Sequence, residues 1–514
     1  MNVRTSPTLM NLARRRLLRN EDLAISALED LPRELFPALF MDAYHGGYTR
    51  IVKAMVPAWP IKCLPVGSLS TLYLESFYAV LDGVDMHLAR KSHPRRSKLQ
   101  VLDLRYMHHD FWKVWTERED GDCPVWSAGT VVESPVVKVT PRYALRQQQC
   151  PLKVVTDSYF RLQVNEEQAR FLQWAQQRKG SLLFYCIKME ICGLPVCTIE
   201  EILNIFQPEH IEELGLTTRW DESTWASFAS CFGQMTNLLK LSLTSVYHNT
   251  NQVGNGTAGR EEKCISKLIA QFSKFNYLQH LSMDDLYFLK DRMNEVLRCL
   301  RNPLETLSIT SQPLTQSDLN HFPCCHSLCH LKHLDLSRLS LFSLCLKPLG
   351  VLLENVADTL ESLDLQHCGI KDSQLTDLIP ALSQCSQLTK VNFSENEFSM
   401  SILKDLLHHT ANWTKMDMEQ YPAPLQCYDD LGYISVERFP QLCRELMDTL
   451  RAIRQPKRIL FYTNPCYHCG QCPHSVYIVQ AQITPFHSAG PCGLRHADPI
   501  GYVVGSVCIF CCEA

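Results

Sequence analysis

No stretch of this sequence is both long and apolar enough to cross a bilayer. The longest candidate, IGYVVGSVCIFCC at 500–512, falls well short of the roughly 20 residues a spanning helix needs. No secretion signal is expected: MNVRTSPTLMNLARRRLL puts charges where an apolar core should run. Charge of one sign is lacking, since 50 Lys and Arg stand against 54 Asp and Glu for a net charge of −4. That balance excludes the global basic excess used to hold nucleic acid or an anionic membrane, and neither is expected as a partner. Catalytic signatures are absent as well: there is no G-x-x-x-x-G-K, no G-x-S-x-G and no H-E-x-x-H. No catalytic residues and no cofactor are expected. Cysteine, by contrast, is plentiful at 24 residues, without the regular spacing of a disulfide framework. We read the thiols as reduced, mostly buried small apolar groups in a cytoplasmic or nuclear protein.

Apolar residues make up 46% of the chain, enough for a large core, and the pattern L-x-x-L-x-L organises them. It begins as IEELGL at 211, LLKLSL at 238, LQHLSM at 278, LETLSI at 304, LKHLDL at 331, LESLDL at 360 and LTKVNF at 388. Successive starts are 27, 40, 26, 27, 29 and 28 residues apart, a period that belongs to long leucine-rich repeats of strand, turn, helix and turn. Cys368 and Asn396 occupy the position whose side chain satisfies backbone groups as the chain leaves the strand. Leu349, Leu352 and Leu353 share one helical face between strands. The 40-residue step contains the polar insertion HNTNQVGNGTAGREEK at 248–263. Its G-x-G-x-x-G lies ten residues past the strand end at 243, so it reads as a surface loop and not a dinucleotide site.

The expected fold class is α/β: a leucine-rich-repeat solenoid, or horseshoe, with an N-terminal helical cap and a C-terminal cap. The expected divisions are a helical cap at 1–97, repeats at 98–415 (degenerate before about 211, with LQVLDL at 99 as an early strand), a C-terminal cap at 416–474, and a poorly packed tail at 475–514.

In L-x-x-L-x-L the residue between the last two leucines, and the one following them, lie on the exposed strand face. These positions include Ser282, Asp284, Ser308, Asp335, Ser337, Asp364, Gln366 and Asn392. The two columns hold three carboxylates and neither Lys nor Arg, and are expected to receive a protein client of basic character. The alternative is a solvated sheet with no ligand. Two cysteine–histidine clusters, Cys466/Cys469/Cys472 with His468 and His474 and Cys324/Cys325/His326/Cys329/His330, read as structural thiols, and no metal is expected. RKSHPRRSK at 90–98 reads as a solvated linker or a nuclear localisation signal.

Near the N-terminus, Ser6-Pro7 starts a helix, Asn20 can cap a second, and Pro37 interrupts a third at LPRELFPALF, 31–40. Thr8, Leu9, Ala13 and Leu17 resemble the elongin-binding box of substrate receptors, with Ala13 where cysteine is usual. The resemblance implies that Leu9 enters a pocket of elongin C. Leu31, Pro32, Leu35 and Leu39 resemble the box that selects a cullin-2-type scaffold. Alternatively, these leucines are the core of a helical cap. The stretch from LPRELF to Trp59 also resembles an F-box, which would replace elongin by a Skp-type adaptor.

The chain as a whole resembles the PRAME family of leucine-rich-repeat proteins. The resemblance is carried by ALEDLPRELFPALFMDAYHGGYTRIVKAMVPAWPIKCLPVGSL (27–69), KLQVLDLRYMHHDFWKVW (98–115) and KRILFYTNPCYHCG (457–470). It implies a non-catalytic horseshoe that serves as client receptor for elongin B/C and a cullin-2-type ubiquitin ligase. It also implies repression of transcription, including retinoic-acid-receptor signalling, with suppression of differentiation and apoptosis and promotion of proliferation. A co-repressor scaffold without ligase function is the other reading.

Overall fold

A computed structural model describes residues 9–67, 69, 73–90, 97–105, 111–116, 151–162, 164–246, 258–435, 437–464, 476–480 and 502–504. Thr8, the cluster of Cys466, Cys469 and Cys472 with its histidines, Gly254 and Gly256, and most of the basic run at 90–98 lie outside the described residues. These residues fall into two compact units, one within Met1–Glu190 and Cys197–Ile211, the other within Ile191–Val196 and Glu212–Ala514.

The first unit opens with helices α1 (Leu9–Leu18), α2 (Glu21–Ala27), α3 (Leu35–His45), α4 (Thr49–Met55) and α5 (Leu74–Ala89). Asn20 caps α2, its side chain accepting from the Leu23 N–H at 3.1 Å. The core of this bundle is aromatic. Phe36 and Phe40 meet the fully buried Trp59 edge-on at 5.9 and 5.3 Å, and the Trp59 indole donates to the Cys63 carbonyl at 2.9 Å. Helices α4 and α5 approach so closely at Gly83 that an added Cβ would lie 2.7 Å from the Val56 side chain. Its strands run in the order β1 (Cys63–Pro65), β2 (Val101–Asp103), β3 (Lys153–Arg161) and β4 (Leu183–Cys192), the first three parallel. Strand β1 thus sits inside the segment 1–97 expected to form the helical cap. Its three residues, CLP, are all buried and show no alternation to mark a strand.

In the second unit all seven copies of L-x-x-L-x-L form parallel strands in sequence order. They are β5 (Glu213–Thr218), β6 (Lys240–Ser245), β7 (His280–Asp284), β8 (Thr306–Thr310), β9 (His333–Asp335), β10 (Ser362–Asp364) and β11 (Lys390–Asn392). The α/β leucine-rich-repeat fold expected from the sequence is the fold observed. Two more parallel strands, β12 (Met418–Pro422) and β13 (Arg458–Tyr462), continue the series beyond 415. Then β14 (Val476–Gln480) and β15 (Tyr502–Val504) add on antiparallel.

The alternation that makes each strand also makes the core: in β6, Leu241 and Leu243 are buried while Lys240 and Ser242 are exposed. Helices between strands close the other side of that core. The helix Lys347–Asn355 buries Leu349, Leu352 and Leu353, as their spacing predicts, and packs on the helix Asp372–Leu382 of the next repeat. Asn396 shows how the backbone is satisfied where a strand ends. Its amide donates to the carbonyls of Leu365 (2.8 Å) and Phe393 (2.9 Å), and its oxygen accepts from the N–H groups of Cys368 (3.2 Å) and Ile370 (3.0 Å). Among the described residues no helix is long and apolar enough to cross a membrane.

The cysteines of the described residues are free thiols. Burial pushes the thiols of Cys186, Cys368, Cys385 and Cys427 up to about 12, whereas Cys197, Cys324 and Cys345 are exposed. Thiolate is the nucleophile. Brief alkylation of the native protein at pH 8, read by peptide mass spectrometry, should therefore label the exposed three and spare the buried four. Labelling of Cys385 as fast as Cys345 would contradict this packing.

Candidate docking surfaces

Helix α1 is held at one side only. Leu18 is buried, and Arg14 reaches Asp42 on α3 at 3.4 Å. The opposite side is open: Leu9 is 86% exposed, Met10 and Leu12 are exposed, Ala13 is exposed and Leu17 is half-buried. A single exposed leucine is ordinary, but Leu9, Met10 and Leu12 lie together on the open side of one anchored helix, and such a patch suits a partner's pocket.

The second box is arranged differently. Pro32 is exposed and Leu35 half-buried, but Leu31 is only 9% exposed and Leu39 1%. Helix α3 is apolar on nearly every side, with Phe36, Ala38, Leu39, Phe40 and Ala43 all buried. Sequence spacing alone does not separate the face that packs inward from the face offered outward, and Leu31 and Leu39 belong to the inward one. What this box presents at the surface is Pro32 and Leu35.

On the sheet, the register joins the predicted column residue by residue. Gly215, Ser242, Ser282, Ser308, Asp335, Asp364 and Asn392 are successive partners across β5 to β11. These side chains are busy, however. Asp335, Asp364 and Asn392 each accept from the backbone N–H two residues on, at Ser337 (2.9 Å), Gln366 (2.9 Å) and Ser394 (3.1 Å). That bond shapes the turn leaving each strand, and the chain then passes through Arg338, His367 and Glu395 at φ of 59°, 53° and 60°. Between strands, Ser308 donates to Asp335 at 3.0 Å, Asn392 to Asp364 at 3.0 Å and Thr310 to Asp284 at 2.6 Å. Burial raises the Asp364 carboxyl above its ordinary range, with Asp335 beside it adding to the effect.

A further row on the same face lay outside the predicted columns. Two residues before the column, Lys240, His280, Thr306, His333, Ser362 and Lys390 are partners in register. The period of two puts them on the exposed side by the argument already applied to the residues that follow. The sheet is therefore not uniformly acidic: a row of lysines, histidines and hydroxyls borders the carboxylate row. His280 and His333 hold Thr306 and Ser362 at 2.8 and 2.9 Å through Nδ1, and the His280 pKa is lowered by burial and by Lys240.

The cluster at 324–330 is not convergent. Cys325 turns inward with Sγ donating to the His321 carbonyl at 3.3 Å, while Cys329 contacts His326 at 3.8 Å and Cys324 faces solvent.

The model of the PRAME N-terminal domain matches residues 6–112, and that of the PRAME C-terminal domain residues 152–480. The chain belongs to the PRAME family. It is 42% identical over 472 residues to human (Homo sapiens) PRAME family member 12, covering 91% of this chain and 95% of that protein. It is also 42% identical over 474 residues to mouse (Mus musculus) Oogenesin-3, covering 92% and 93%. Among solved structures, a chain of the yeast Rad7 and Elc1 complex aligns over 84% of this chain and 97% of that chain, at a TM-score of 0.40 and 14% identity. The PRAME C-terminal domain match ends with β14 at residue 480, six residues into the segment set apart from the sequence as a tail.

Proposed function

We propose that this PRAME-family protein is a non-enzymatic receptor that presents client proteins to an elongin–cullin-2-type ubiquitin ligase. Leu9, with Thr8, Ala13 and Leu17, engages elongin C. Pro32 and Leu35 supply the accessible part of the cullin-selecting box. Clients lie on the exposed sheet of the repeats, over Ser282, Asp284, Ser308, Asp335, Ser337, Asp364, Gln366 and Asn392. The proposal includes action in the cytoplasm or nucleus, with repression of transcription as one consequence of client removal.

One observation carries the reading: an exposed apolar side, led by Leu9 at 86% with Met10 and Leu12 beside it, on a helix fastened to the folded unit from its other side. A scaffold that merely capped its own repeats would gain about 1.5–3 kcal/mol by burying that leucine, and this one leaves it in water.

The test is co-expression of the full chain with elongin B/C and cullin 2, followed by affinity purification. The expected result is a stable assembly of all components. Recovery with a Skp-type adaptor instead, or with neither scaffold, overturns the proposal.

A further inference from the structure

The apolar strip of α1 has unpaired charge on one side only. At 100° per residue, Leu18, Asn11 and Arg14 fall together on the side that is buried or half-buried. Going round the open side, the order is Arg15 and Arg19, then Leu12 and Arg16, then Leu9, Ala13 and finally Leu17 with Met10. Arg15, Arg16 and Arg19 are all exposed, and among the described residues none is in an ion pair. Neighbouring cations are satisfied: Arg14 pairs with Asp42, and Arg50 with Glu21 and Asp22 at 3.3 and 2.8 Å. Three unpaired guanidinium groups therefore stand on the Leu12 side of the strip, whereas Arg14, the charged residue next to Met10, is neutralised by Asp42.

We infer that Arg15, Arg16 and Arg19 are an electrostatic guide for the partner of α1, whose leucine-accepting pocket is bordered by carboxylates on one side. The inference rests on the receptor reading for the identity of that partner. The arginines also fix orientation, since a pocket turned end for end would set its carboxylates against Met10. Surface charges of this kind act on encounter far more than on the final complex. Their long side chains remain hydrated at the rim, where single ion pairs contribute little to affinity. At ordinary ionic strength the field falls off over about 8 Å, so the guide acts most strongly beside Leu12 and Ala13 and weakens toward Leu9.

The experiment measures association and dissociation rates of the full chain with purified elongin B/C, at low and moderate salt. The variants are Arg15→Glu/Arg16→Glu/Arg19→Glu and, separately, Leu9→Ser. The triple variant should fold as before. Its association rate should fall about tenfold or more at low salt, with the dissociation rate nearly unchanged and the wild-type salt dependence lost. Leu9→Ser should act the other way, on dissociation. Equal association rates for wild type and triple variant overturn the guide while leaving the receptor reading intact; no binding by the wild type overturns both. Vesicles containing phosphatidylserine form the remaining arm. If the triple variant loses vesicle binding and keeps its elongin association rate, the arginines serve a lipid surface and the inference is wrong.

Discussion

Replacing Leu9 by serine is expected to lower affinity for elongin B/C about 10- to 100-fold without destabilising the protein. The two halves of that statement have one cause. Leu9 is 86% exposed, so in the free chain it contributes little that serine would lose. In a pocket it would gain about 1.5–3 kcal/mol of apolar burial, the size of an interface anchor. Leu39→Ser is the matching control: at 1% exposed it sits against the aromatic core, so its loss should unfold the first unit and abolish every interaction together. Pro32→Ala/Leu35→Ala should lose the cullin scaffold and retain elongin, because these two alone of that box reach the surface. Wild-type elongin affinity in Leu9→Ser, measured by titration calorimetry, would remove α1 from the interface.

That contrast also marks what spacing does and does not disclose. The seven repeats from β5 to β11 are legible because each inward position is leucine or a close substitute at a nearly constant period. Strand β12 is hidden because its inward positions hold Glu419 and Tyr421, 1% exposed each, in place of leucine. A buried glutamate has no sequence signature; it is tolerable only through a partner 35 residues away. The exposed columns of the sheet follow from strand period alone, yet the turn bonds of Asp335 and Asp364 do not, since any aspartate at a strand end offers the same side chain to a ligand or to its own backbone. In α3 the failure has a different origin. A helix apolar on nearly every side carries little periodic asymmetry, so Leu31 and Leu39 look as available as Pro32 and Leu35 until the neighbouring aromatic rings are in place.

The partner of Glu419 supports the second large effect: Arg454→Met is expected to cost about 3–5 kcal/mol. Arg454 leaves the helix Arg438–Ile453 and grips Glu419 with both Nη atoms, Nη1 at 2.7 Å to Oε1 and Nη2 to Oε2. The Tyr421 hydroxyl donates to Oε2 at 2.7 Å, and the guanidinium lies over the Trp413 ring at 5.8 Å. The side chains are 7% and 1% exposed, so water cannot replace either one. Taking a carboxylate out of water is costly, and the fork of Arg454 with the Tyr421 hydroxyl is what offsets that cost. Methionine roughly keeps the volume and removes the cation, leaving the Glu419 carboxyl buried without its partner. The double variant Arg454→Met/Glu419→Leu removes both charges and should recover most of the loss, leaving only the Tyr421 hydroxyl unpaired. Urea unfolding followed by tryptophan fluorescence gives the comparison, with Trp413 as a reporter beside the pair. If the single variant is as stable as the double, the ion pair is not what binds that helix to β12. If the single variant alone fails, the last repeats close on a charge pair where the others close on leucine.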